Sequence, residues 1–155
     1  WTGAGWAMSD SETVTLSFNI QPVTVVKATS SGAQGVNIGP VVPGVDASSE
    51  PLEVLINTNT NERYRVYHEV RNRPTSGSGG QFPAEEIKFM AGNGAQGGTS
   101  AIPALVPVPD GRALIFESGS EGGADRFSLR YAVASRKSFG AGDYYGDIYL
   151  DVEPA

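Results

Sequence analysis

The only histidine of the chain, His68, stands in ERYRVYHEVR at 62–71, between Val66 and Val70 on the apolar side of a predicted strand. An imidazole acts as a general base only beside a nucleophile and an orienting group. Its apolar neighbours point instead to a packed side chain. One His excludes a three-histidine zinc site, and the absence of Cys excludes disulfides, thiolate metal sites and a Cys nucleophile.

The carboxylates are no more suggestive. Asp143, Asp147 and Asp151 recur at every fourth residue, which would group them on a helix but separates them along a strand. They read as edge-protecting charges. Glu85 and Glu86 are adjacent, so on a strand they face opposite ways and cannot act as a pair. GNGAQGG at 92–98 lacks the Lys-Ser/Thr of a phosphate loop, and GSEGG at 119–123 lacks a nucleophile elbow around Ser120, so both are expected to be flexible loops. Trp1 and Trp6 could stack on sugar rings, but a Gly/Ala-rich leader holds them, and a platform must be rigid. An anchoring or packing role is expected for them. No catalytic residue, metal or cofactor is therefore expected, and the chain reads as a protein without enzymatic activity.

The elements around these residues are strands. SETVTLSFNIQP at 11–22 alternates without a slip: Val14, Leu16, Phe18 and Ile20 face one way, and Thr13, Thr15, Ser17, Asn19 and Gln21 the other. Further strands are predicted over residues 23–28, 36–42, 52–57, 62–71, 86–90, 104–108, 112–117, 125–134 and 144–152. The separators, among them PGVDASSEP, NTN, RPTSGSGGQFP and SGSEGGA, are rich in turn-forming residues. In the last strand Tyr144, Ile148, Leu150 and Val152 share the apolar face, opposite Asp147, Tyr149, Asp151 and Glu153. So many short strands in 155 residues, with 20 Gly and 10 Pro and no fixed repeat, imply one all-β domain, a sandwich or a barrel.

Bulk charge narrows the partners. Eleven basic against seventeen acidic residues give a net charge of −6, which argues against nucleic acid or an anionic membrane as the main partner. No apolar run is long enough to span a bilayer as a helix. A chain opening on Trp1 is expected to have been processed, and removal of a signal peptide would make it secreted.

VTLSFNIQPVTVVKATSSG at 14–32, an alternating strand followed by Pro22, a second strand and a polar turn, resembles the N-terminal region of cysteine-free major pilins of the colonisation-factor class of chaperone–usher fimbriae. FGAGDYYGDIYLDVEP at 139–154 is similar to the terminal strand of such pilins, and LEVLINTNTNERYRVYHEV at 52–70 to their paired middle strands. The resemblance implies an immunoglobulin-like β-sandwich that lacks one strand and is completed by a neighbour. Residues 1–21 would be leader and donor strand, and 22–155 the pilin-like domain. Val14, Leu16, Phe18 and Ile20 would then fill a neighbour's core, with Tyr144, Ile148, Leu150 and Val152 on the acceptor side. The product would be a secreted homopolymeric surface filament, assembled with a periplasmic chaperone and usher and able to adhere to a glycan or host-surface receptor. The main rival is a secreted β-sandwich carbohydrate-binding module in which residues 13–20 are the first strand of a closed core. A small hydrolase built from scattered carboxylates is the other.

Overall fold

A computed structural model describes residues 11–29, 38, 45–77, 80–82, 86–133 and 143–155. Its strands are β1 (Thr24–Thr29), β2 (Ala47–Ser48), β3 (Leu52–Thr58), β4 (Tyr64–Ser76), β5 (Ile87–Ala91), β6 (Thr99–Ser100), β7 (Val106–Pro107), β8 (Arg112–Glu117), β9 (Asp125–Val133) and β10 (Tyr144–Pro154). They form two antiparallel sheets packed as a β-sandwich. One runs β1-β3-β9-β5-β7, with β2 also on β9, and the other runs β10-β4-β8-β6.

Alternation in the sequence becomes alternation in burial. Leu52, Val54 and Ile56 of β3 and Phe127, Leu129 and Tyr131 of β9 are buried, as are Tyr64, Val66 and His68 of β4. Phe89 of β5 and Phe116 of β8 complete the core, where Phe116 stacks on Phe127 with centroids 4.1 Å apart. Each buried Val, Leu, Ile or Phe among them contributes about 1.5–3 kcal/mol of burial, and rings packed this way add about 1 kcal/mol.

Irregularities make the strands fit one another. Between Val66 and Tyr67 the β4–β8 register shifts, and Ile115 and Phe116 are both fully buried although adjacent, which a bulge permits. Ser49 closes the break between β2 and β3: its N–H donates to the Tyr131 carbonyl at 2.8 Å, and its Oγ accepts from the Tyr131 N–H at 3.0 Å. Opposite β10, β4 carries extra residues around Pro74. A Cβ on Gly146 would lie 2.6 Å from the Asn72 carbonyl, so this strand position accepts only glycine.

Within one chain the alternating segment forms no strand. Residues 11–23 carry no ladder, because no strand among the described residues pairs with them, and 11–22 lie exposed. The predicted strand at 36–42 falls outside the described residues except for Ile38, which is not in a strand and packs against the core. The strand predicted at 104–108 shrinks to β7, since Pro107 lacks an N–H for a longer ladder. The loop predicted at 74–83 is partly strand: β4 continues through Pro74 to Ser76, and the Phe82 N–H donates back to the Pro74 carbonyl at 2.9 Å.

Candidate functional site

Four large apolar side chains stand in water along residues 11–20. Val14 is 83% exposed, Leu16 85%, Phe18 76% and Ile20 70%. Single exposed hydrophobics are ordinary, but four in strand register on one unpaired segment make a linear apolar stripe.

The segment is anchored at one point. In the turn after β3, the Asn59 side-chain amide donates to the Gln21 carbonyl at 2.9 Å, and its Oδ1 accepts from the Val23 N–H at 2.7 Å. The Asn59 N–H donates to the Val23 carbonyl at 3.2 Å. The carboxamide thus extends the β1–β3 ladder by one peptide-like rung past Pro22, which has no N–H to offer. Beyond that rung the arm leaves the domain. Asn59 was not singled out in the sequence, although Asn in a turn commonly bonds nearby backbone.

The two sides of the sandwich end differently. On one side the edges are β6 and β7, two residues each, with Pro107 in β7. Such edges offer little to another chain. On the other side the edges are β1 and β10, of 6 and 11 residues, whose outer backbone edges pair with no strand among the described residues. Val26 of β1 and Leu150 and Val152 of β10 are half-buried against the core, and Ile148 is 36% exposed. Leu150 pairs with His68 and Val152 with Val66, so both face inward at the open end of the core. Tyr144 packs edge-on against Phe82 at 5.4 Å. The four expected acceptor-side residues therefore share one edge strand, together with Val26, which the sequence reading did not include. The two edges lean together, with Cα atoms of β1 and β10 within 8 Å at their closest, so a strand entering between them must part them.

The groups considered for chemistry have structural surroundings. His68 is fully buried, its Nε2 2.7 Å from the Tyr131 Oη and its ring 4.8 Å from Phe89, and its Nδ1 has no hydrogen-bond partner. Loss of water lowers its pKa from 6.5 to about 4, only partly offset by its own backbone carbonyl, so it is neutral at physiological pH. Burial likewise raises Tyr131. Asp147 accepts from Asn72 at 2.7 Å and Asp151 pairs with Arg112 at 3.1 Å across the outer face of the four-stranded sheet, while Asp143 is exposed. Trp1, Trp6 and Glu85 lie outside the described residues.

The GNGAQGG stretch is a pinned turn rather than a loose loop. Buried Asp125 accepts from the Gln96 and Arg126 N–H groups at Oδ1 (2.8 and 2.7 Å) and from the Gly98 N–H at Oδ2 (2.9 Å). A Cβ on Gly94 would strike the Asp125 carboxylate, and one on Gly98 would strike Phe116. The same carboxylate adds to burial in pushing the Tyr64 hydroxyl up to about 12. Among the described residues no group of His, Asp and Glu could hold a metal ion. No family model matches the chain, and no curated protein matches it.

Proposed function

We propose that the protein is a secreted structural subunit that polymerises into a surface filament, its domain an immunoglobulin-like sandwich completed by strand donation. Residues 11–21 of one copy add to the β10 edge of the next. The subunit does no chemistry of its own. One observation carries this reading: an unpaired arm exposes an apolar stripe at period two, while the same domain has a long strand edge with a half-exposed apolar interior.

The energetics favour such an exchange. Full burial of Val14, Leu16, Phe18 and Ile20 would contribute on the order of 6–12 kcal/mol, set against the ordering of the arm and the parting of β1 from β10. Ladder hydrogen bonds along β10 add affinity, and inward side chains add specificity. A one-residue slip would bury Thr15, Ser17 and Asn19 instead, so the register is defined. Because donor and acceptor are different surfaces, the contact is heterologous and propagates head to tail.

Deletion of residues 1–21 separates this reading from a self-contained module. The truncated domain should stop polymerising, and a peptide of residues 11–22 should bind it and raise its melting temperature. A truncated domain that still polymerises, or that ignores the peptide, would exclude strand donation.

A further inference from the structure

Charge on this acidic protein is sorted by face. On the outer face of the four-stranded sheet the described bases within the strands are answered by acids. Arg65 pairs with Glu117 at 3.1 Å, Arg71 with Glu69 at 2.9 Å, and Arg112 with Asp151 and Glu153. The outer face of the six-stranded sheet differs. The burial pattern turns Lys27 of β1, Arg126 and Arg130 of β9 and Lys88 of β5 outward. Glu53 is the one acid among the described outward strand positions, and it stands 3.8 Å from Arg126. Lys27, Lys88 and Arg130 make no ion pair among the described residues; on the same face Leu55 lies between Lys27 and Arg126, and Met90 lies beside Arg130.

The register fixes their spacing. Lys27 and Arg126 flank Leu55 in one row, two strands or about 10 Å apart. Arg130 is four residues, about 13 Å, further along β9, and Lys88 is one strand across and two residues on, about 8 Å away. Phosphates on duplex DNA come every 1.7 Å or so. Positive charges whose neighbours stand about 8–13 Å apart, in a path that turns a corner at Arg126, match instead a flexible polyanion whose charges are sparse.

Beside Arg126 the face dips into a shallow open groove of about 460 Å³, lined by Glu50, Glu53, Asn93, Arg126 and Ser128 among others. These groups suit sugar hydroxyls. Its two carboxylates would repel a continuous run of negative charge, which again favours sparse anions.

We propose that the outer face of the six-stranded sheet is a docking surface for an anionic polysaccharide whose carboxylates alternate with neutral sugars. Charged polymers bound this way are held by several weak contacts, so affinity should fall steeply with salt.

The test is binding of the full chain to immobilised hyaluronan, with neutral dextran and duplex DNA as comparisons. Hyaluronan should be bound at low salt and released near about 0.15 M salt, and dextran ignored. The combined variant Lys27→Ala, Lys88→Ala and Arg130→Ala should lose at least about tenfold in affinity with an unchanged melting temperature. Lys27→Arg with Lys88→Arg should retain binding, and Arg63→Ala, an exposed base before β4, should have no effect. Absence of hyaluronan binding, equal binding by the triple alanine variant, or tighter binding to DNA would overturn the proposal.

Discussion

Acidification should weaken the core through His68, with a size set by its burial. The imidazole titrates near 6.5 when unfolded and about 4 in the folded protein. Between those values the unfolded chain binds more protons, so stability falls as pH falls, and the loss is complete once pH drops below about 4. The difference corresponds to about 3 kcal/mol in all, of which about 2 is already gone at pH 5. No acid offsets the buried charge: the ring faces Tyr131 and Phe89, and its strand neighbours are Leu150 and Ala113. Carboxylates elsewhere also titrate, so the measurement is a comparison. Urea unfolding of wild type and His68→Gln at about pH 7 and about pH 5 should show that the variant loses less stability than wild type, by about 2 kcal/mol. The variant's fixed cost cancels in that difference. Equal losses in both proteins would mean that His68 is solvated or protonated in the fold, contrary to its burial.

Three further outcomes are expected. Leu16→Asn with Phe18→Ser should abolish polymerisation yet leave the melting temperature of the isolated subunit unchanged, because both side chains are exposed there. Asn59→Ala removes two hydrogen bonds that hold residues 21 and 23, so proteolysis at that junction should speed up while the domain loses only about 1 kcal/mol. Asp125→Ala leaves the Gln96 and Gly98 N–H groups without their acceptor, and chemical denaturation should register a loss of about 3 kcal/mol.

The strands that the sequence reveals are those whose two faces meet different surroundings. β3 and β9 alternate because one face meets the core and the other water, and the sequence pattern shows the same period. β2 and β6 are two residues each, too short for any period to show. Pro74 reads as a turn in sequence, but bulges in β4 opposite Gly146 absorb it, and this depends on a strand 70 residues away. Ile115 and Phe116 hide their pattern for the same reason, since a bulge turns neighbours to one side. The arm is the reverse case: its alternation is plain in Val14, Leu16, Phe18 and Ile20, but alternation cannot name the strand it pairs with. Clamps such as Asn59 and Asp125 rest on single side chains meeting distant backbone, and no local spacing announces them.

Negative-stain electron microscopy of the protein isolated from its native source, with the same sample run unboiled and boiled on a denaturing gel, tests strand donation most directly. Thin filaments and an unboiled ladder that collapses to one band on boiling are the expected result. A monodisperse particle of about 16 kDa, identical before and after boiling, would show that the stripe on residues 14–20 is not donated and would contradict the proposed function.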